Sequence, residues 1–401
     1  MELKEVEFIA QVDNYLARKD YQRGGRCVRF IAIYKNSQEL MFHDNGVTTY
    51  TIDLSYWDLL KKLNNHIVLS IDDGDKNLSW FYIKGVVGGS KNSGYYYETF
   101  SNENPEFFKL LECKAIDQPV AFGKNLAGEA EDINNFIVEY VPESSVGNIP
   151  SWDFYSFHVG QGMCSLITNG ITGILLDAGA GKPVLRGNYL KNKYTYMNNE
   201  LWGLVGGLET IDVVISHPDS DHWRMLAWDV RISNKVNKIF IPDNTKSITW
   251  KDTKIKSKIV SVSSWLFFIN HNLRLSVLRS NPINKTDNTD CLICIFKGPN
   301  GGVILQSGDY VYADMNTDTR HEIRYLLNLS YDAVVVPHHG DAASANAIFR
   351  PSGSHSKAFF SAGNHTGYGH PTSISLSNHR LAGYNVISNN TLAYIKHVKL
   401  N

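Results

Sequence analysis

From Trp152 onward, short apolar runs close one after another on corners rich in Asp, His and Gly. Ile211-Asp212-Val213-Val214-Ile215 leads into Ser216-His217-Pro218-Asp219-Ser220-Asp221-His222. Ile304-Leu305-Gln306 leads into Ser307-Gly308-Asp309, Val334-Val335-Val336 into Pro337-His338-His339-Gly340, and Gly173-Ile174-Leu175-Leu176 into Asp177. Runs of this length read as buried strands, and helical spacing falls between them near 222–229, 319–329 and 372–382. Hairpins also occur, as Gly298-Pro299-Asn300-Gly301-Gly302 signals. The pattern predicts a layered α/β fold with mixed sheets. Sites in open α/β sheets gather at strand ends, so the pattern that constrains the fold also marks where chemistry would sit.

The densest corner is His217 to His222, with two imidazoles and two carboxylates in six residues. Such donors suit zinc, manganese or iron, and four of them can serve two adjacent ions. Taken alone, the segment is equally a polar turn in which Asp219 or Asp221 caps a helix. Unrelated caps would not recur at strand after strand, and here an acid or a histidine pair closes three further runs. His370, in Gly367-Tyr368-Gly369-His370-Pro371, adds another imidazole. Cys291-Leu292-Ile293-Cys294 has the spacing of a zinc knuckle, but it reads as a strand, whose positions i and i+3 face opposite sides. The interleaved charges and rings of Lys182, Arg186, Tyr189, Lys191, Lys193, Tyr194 and Tyr196 suit a single strand of nucleic acid, and equally an exposed loop or helix with partly buried tyrosines.

Taken in order, Phe157-His158-Val159-Gly160-Gln161-Gly162, Leu176-Asp177-Ala178-Gly179, the His217/Asp219/Asp221/His222 motif, Asn288-Thr289-Asp290, Ser307-Gly308-Asp309, His338-His339-Gly340 and His370-Pro371 resemble the metallo-β-lactamase superfamily. The ComEC-type metallo-hydrolase domain is the nearest variety. The resemblance covers about residues 152–401 and implies an αββα sandwich holding two divalent metal ions, Zn²⁺ or Mn²⁺. It implies that His217 and Asp219 hold one ion and Asp221 and His222 the other. Asp309 would bridge the two and His338 would complete one site. Asp221, His339 and His370 would be catalytic, with His339 or His370 serving as a further ligand or as a proton donor to the leaving group. Asp177 would orient a histidine from behind. The family commonly has His where Asp219 stands, a change that favours a harder ion such as Mn²⁺. Trp223-Arg224 replaces a small glycine pair, and Met163 stands where an acid or small residue is usual. Two ions roughly 3.5–4 Å apart can bind one hydroxide and polarise a phosphoryl or carbonyl oxygen, with no nucleophilic Ser or Cys required.

The net charge of −1 hides a split, −7 over residues 1–150 and +6 over 151–401. That asymmetry, and the Gly- and Pro-bearing stretch 115–150, predict two domains: 1–148, a small acidic α+β domain, and 149–401, the hydrolase domain. In the first, strands are expected at 28–34, 67–71 and 80–83, a hairpin about Asp44-Asn45-Gly46, and a helix over 56–63. It holds no cluster of metal-ligand type, and its role would be to gate the site or recruit a protein partner. Five cysteines, an odd number in a long chain, point to a reducing compartment. The N-terminus lacks a signal peptide's apolar core, and no apolar run approaches the ~20 residues of a membrane span. The expectation is a soluble, cytoplasmic protein with no membrane contact. The mildly basic half favours a nucleic acid or nucleotide substrate, hence a phosphodiesterase or nuclease. The alternatives are a small-ester or lactone hydrolase and a degenerate scaffold that binds or regulates.

Overall fold

A computed structural model describes residues 3–18, 26–37, 46–63, 80–88, 93–117, 136–139, 151–195, 200–243, 252–270, 273–286, 288–298, 302–363, 368–388 and 392–400. The chain divides into two units. The first takes in Met1–Gly128 with Ala227–Val230 and Ser247–Ser257, and the second takes in Glu129–Leu226, Arg231–Lys246 and Lys258–Asn401.

In the first unit, β1 (Lys4–Arg18), β2 (Arg26–Tyr34), β3 (Tyr50–Ser55), β4 (Trp80–Val87), β5 (Gly94–Glu98) and β6 (Glu106–Ile116) form a closed barrel in the order β1-β2-β3-β5-β6-β4. Each pair is antiparallel. Side chains alternate across a strand, and Val6, Phe8, Ala10 and Val12 on β1 share an interior with Val28, Phe30 and Ala32 on β2 and Ile52 and Leu54 on β3. Helix α1 (Tyr56–Lys62) sends Leu59 into the same core, joined by Leu63. The helix and two of the strands expected from the sequence are present. The strand expected at 67–71 lies outside the described residues, as do Asp44 and Asn45 of the expected hairpin. Strands closed into a barrel, with α1 packed on its core, dominate this unit among the described residues.

The clip 252–257, far along the chain, belongs to this barrel unit. Asp252 is buried; it accepts from the Thr49 amide at 2.9 Å and the Thr49 hydroxyl at 2.8 Å, while Thr253 N–H donates to Val47 O. Lys254 pairs with Glu98 and reaches the carbonyl of Phe100.

The second unit is built on two sheets. Strands β8 (Asp153–His158), β9 (Cys164–Thr168), β10 (Thr172–Ala178), β11 (Thr210–Val214), β12 (Val236–Pro242), β13 (Ile259–Val262) and β21 (Lys396–Lys399) make one, in the order β13-β12-β11-β10-β9-β8-β21. The other holds β7 (Phe136–Glu139), β14 (Trp265–Asn270), β15 (Leu273–Arg279), β16 (Leu292–Lys297), β17 (Val303–Gln306), β18 (Ala333–Val335), β19 (Lys357–Phe360) and β20 (Asn385–Ser388), in the order β20-β19-β18-β17-β16-β15-β14-β7. Each runs from an antiparallel meander, β8-β9-β10 or β15-β16-β17, into three parallel strands. Strand β7 precedes the junction expected at 148, yet it pairs parallel with β14.

Alternation sorts the two faces. Ile174, Leu176, Val214 and Phe240 from the first sheet pack on Leu275, Val277, Cys294 and Phe359 from the second. The opposite face of the second sheet, through Cys291, Ile293, Leu305, Val334 and Phe360, packs on Tyr312 and Met315 of α6 (Tyr312–Thr317) and Ile323 of α7 (His321–Tyr325). The remaining helices are α2 (Arg186–Thr195), α3 (Glu200–Val205), α4 (Ser220–Trp228), α5 (Val230–Lys235) and α8 (Ser373–Leu381). This is the αββα sandwich that the resemblance implies. Cys291 and Cys294 lie in different cores and are both free, so they share no ion.

Candidate metal centre

The strand-end corners of the sequence converge. Asp177 is the next-to-last residue of β10, Ser216 and His217 follow β11, Asp309 follows β17, and His338 and His339 follow β18. The backbone is bent to reach this arrangement. Asp177, His338 and His339 have φ of 55°, 48° and 54°, a region that residues other than glycine seldom occupy. Gly308 has φ of 58°, and a Cβ there would stand 2.3 Å from Ser216 Oγ. Gly179 lets the loop after β10 lie against the first turn of α4, where a Cβ would fall 1.5 Å from the Asp221 carbonyl.

Asp309 is the hub. Its Oδ2 is 3.6 Å from His217 Nε2 and 3.7 Å from His338 Nε2, and its Oδ1 is 3.3 Å from His222 Nε2 and 3.5 Å from His339 Nε2. Asp219 stands beside the first pair, 3.6 Å from His217 Nε2, and Asp221 beside the second, 3.4 Å from His339 Nε2. One carboxylate therefore turns each oxygen toward its own group of donors. Two triads that share His222, which stands between the two groups, are spaced to hold an ion: His217/His222/Asp309 and Asp221/His222/His339. His217, His222 and His339 are fully or almost fully buried, while Asp219 is 40% exposed and marks the open side.

Behind the centre each imidazole is held by its other nitrogen. His222 Nδ1 lies 3.1 Å from Asp177 Oδ2, His338 Nδ1 3.0 Å from Asp341 Oδ2, and His339 Nδ1 donates to Ser361 O at 2.9 Å. His217 Nδ1 meets Ser216 Oγ at 3.1 Å. Gln306 Nε2 donates to Asp177 Oδ2 and to Leu176 O. A ligating histidine is normally fixed in this way, with its outer N–H given to an oxygen. What remains is a set of buried atoms with no hydrogen-bond partner: Nε2 of His217, His222 and His339, and Oδ1 of Asp309. Buried polar atoms left unpaired are costly, and a cation between them would pair all four, so the donor set fits metal ions.

The charges agree. Burial opposes ionisation of Asp309, but His222, His339, His338 and His217 hold its carboxyl well below the usual range. Burial likewise opposes the Asp221 carboxylate, and His339, whose Nε2 is 3.4 Å away, together with the charge of His222 overcomes it. Burial disfavours a charged His338, yet Asp309 and Asp341 lift its pKa to about 9. His222 is raised well above its ordinary value by Asp309 and Asp177, against the effect of burial.

His370 stands to one side. Its Nδ1 is 3.3 Å from Gln161 Nε2, and its ring meets His338 edge-on at 5.6 Å. Burial, then His339 and His338, lower its pKa to about 4. Asn288 Nδ2 is 3.2 Å from His338 Nε2. The sequence reading did not single out Ser216, Gln306, Asp341 or Ser361. No spacing announces them: Ser216, Asp341 and Ser361 each meet a histidine, and Gln306 meets Asp177, at positions only the fold sets. Trp223 is buried and donates to Pro218 O, while Arg224 donates to Ser220 Oγ, so both brace the turn that carries Asp219. Met163 is part of the sandwich core. Of the segment from Lys182 to Tyr196, Arg186 and Tyr189 are buried in or beside α2, and so do not line an exposed strand-binding face. Tyr196 and the side chains of Lys191, Lys193 and Tyr194 lie outside the described residues.

No family model and no curated protein matches the sequence. Some solved structures are similar in fold over part of the chain. CmlA, a diiron β-hydroxylase from Streptomyces venezuelae, is 14% identical with a TM-score of 0.35, over 63% of this chain and 55% of its own. The chain thus spans little more than half the length of CmlA. The metallo-β-lactamase fold protein YhfI from Bacillus subtilis is 10% identical with a TM-score of 0.36, over 61% of this chain and all of its own. A metallo-β-lactamase from Cronobacter sakazakii is 12% identical with a TM-score of 0.29, over 43% of this chain and 66% of its own.

Proposed function

We propose that the chain is a metal-dependent hydrolase acting on phosphodiesters, with nucleic acid or a nucleotide as substrate. The observation that carries the reading is the Asp309 carboxylate, with one oxygen facing His217 and His338 and the other facing His222 and His339. That arrangement suits a pair of ions. His217, Asp219, His338 and Asp309 would hold one, and Asp221, His222, His339 and Asp309 the other. Zn²⁺ and Mn²⁺ both accept such mixed imidazole and carboxylate donors. When bound, the pair supplies Lewis acidity toward a phosphoryl oxygen and acidifies a water near neutral pH.

The chain's own residues do the rest. Asp177, Asp341 and the Ser361 carbonyl hold three imidazoles with Nε2 aimed inward. Asp219 leaves the centre open toward solvent. His338 and His370 stack edge to face and wall one side, where a leaving group would lie. The complete donor set weighs against a degenerate scaffold. The net charge of +6 over residues 151–401 favours an anionic substrate over a neutral lactone or small ester. The test is hydrolysis of DNA, RNA, cyclic nucleotides, bis(p-nitrophenyl) phosphate and a lactone with Mn²⁺, Zn²⁺ or Mg²⁺. Turnover of phosphodiesters above the lactone is expected. Lactone turnover with no phosphodiesterase activity under any of the metals would overturn the substrate assignment.

A further inference from the structure

We propose that Ser216 is a positioning residue through which one carboxylate, Asp177, orients an imidazole in each half of the centre. The inference rests on the metal-centre reading above. Ser216 ends the apolar run of β11 and is buried with Asp177, His217 and His222. Its amide donates to Asp177 Oδ1 at 2.7 Å. Its hydroxyl oxygen is 3.0 Å from Asp177 Oδ2, 3.1 Å from His217 Nδ1 and 3.2 Å from His222 Nδ1.

Counting protons decides the directions. His217 and His222 both turn Nε2 toward Asp309, so when each serves as a ligand its proton sits on Nδ1. His222 gives that proton straight to Asp177 Oδ2, at 3.1 Å. The acceptor in reach of His217 Nδ1 is the Ser216 hydroxyl. A hydroxyl that accepts from His217 still has its own proton to donate, and Asp177 Oδ2 takes it. The chain His217 Nδ1–H to Ser216 Oγ–H to Asp177 Oδ2 thus gives every group a partner, and the carboxylate reaches one histidine directly and the other through the serine.

The surroundings are shaped for this relay. Asp177 adopts left-handed backbone to bring its carboxylate beneath Ser216. Gln306 Nε2 approaches the same Oδ2 at 3.3 Å from a strand of the other sheet. Gly308 leaves free the space that a Cβ would take 2.3 Å from the serine oxygen.

The test is a Zn²⁺ titration of the full-length protein and of two variants, Ser216→Ala and Asp177→Asn, with circular dichroism to show that each is folded. The wild type is expected to take up two ions. Ser216→Ala should weaken one of them by about 10–100-fold, the usual effect of losing such a supporting contact, and leave the other at wild-type affinity. Asp177→Asn should weaken both. In the Zn²⁺ form, the nuclear magnetic resonance signal of His217 Nδ1–H should move in Ser216→Ala while that of His222 stays. A role in packing alone would not divide the ions in this way. Two ions bound at wild-type affinity by Ser216→Ala would overturn the relay and leave the metal centre standing, as would the loss of the same single ion in both variants. A wild type that takes up no ion would overturn both.

Discussion

Gly308 shows how tightly single positions are set around the centre. It has positive φ, and any side chain there meets the Ser216 hydroxyl. Gly308→Ala is expected to cost on the order of 2 kcal/mol in denaturant unfolding, from backbone strain and overpacking together, and to weaken metal uptake. Cys291→Ser, at a buried thiol outside both donor triads, should leave metal content unchanged; loss of an ion would return the Cys291/Cys294 pair to consideration. The residues that converge on the candidate centre were legible in the sequence because strand ends carried them in contiguous motifs. Their supports were not. Asp341 lies three residues from His338 and resembles any turn acid until the left-handed backbone at His338 and His339 folds it back. Ser361 contributes a backbone carbonyl, which no side-chain pattern records.

Helix α8 carries a different test. His379 is buried; its Nδ1 donates to Ser375 O at 2.8 Å, so its Nε2 accepts from the Tyr312 hydroxyl at 3.2 Å. Burial holds its pKa at about 4, below the ordinary 6.5. The unfolded chain therefore takes up this proton first as pH falls. The stabilisation is fully present above about pH 6.5 and is lost as pH drops toward 4, on the order of 3 kcal/mol in all. His379→Gln should flatten the fall of unfolding free energy between those values, and an unchanged slope would contradict this. The clip at Asp252 offers a second. Asp252→Ala leaves the Thr49 amide and hydroxyl without their acceptor and should cost about 1–3 kcal/mol. Strands of the sandwich were readable as apolar runs bounded by turns, and so was α8. Barrel closure was not, since β1 pairs with β4 across a long stretch of chain whose register no local pattern sets. Nor was β7, whose four residues resemble any short apolar run until β14 lies beside them.

At the scale of the whole chain, the charge split leads to a prediction about the substrate. If the +6 half meets a polyanion, binding of DNA or RNA to a metal-free form should weaken as salt rises, because each phosphate contact releases counterions. Binding that does not change with salt would remove nucleic acid as the substrate. No described helix is long and apolar enough to cross a membrane. A change of texture was visible near residue 150, but the interleaving of the two units was not. Ala227–Val230 and Ser247–Ser257 belong with the barrel unit although the sandwich surrounds them in sequence. Cutting the chain near 151 would therefore strand the Asp252 clip and discard β7. If Asp309 joins two groups of donors into a centre for two ions, metal analysis of the purified protein will count them. Two divalent ions per wild-type chain are expected, and at most one in a folded Asp221→Ala/His222→Ala variant. Full occupancy in that double variant would contradict the two-ion centre.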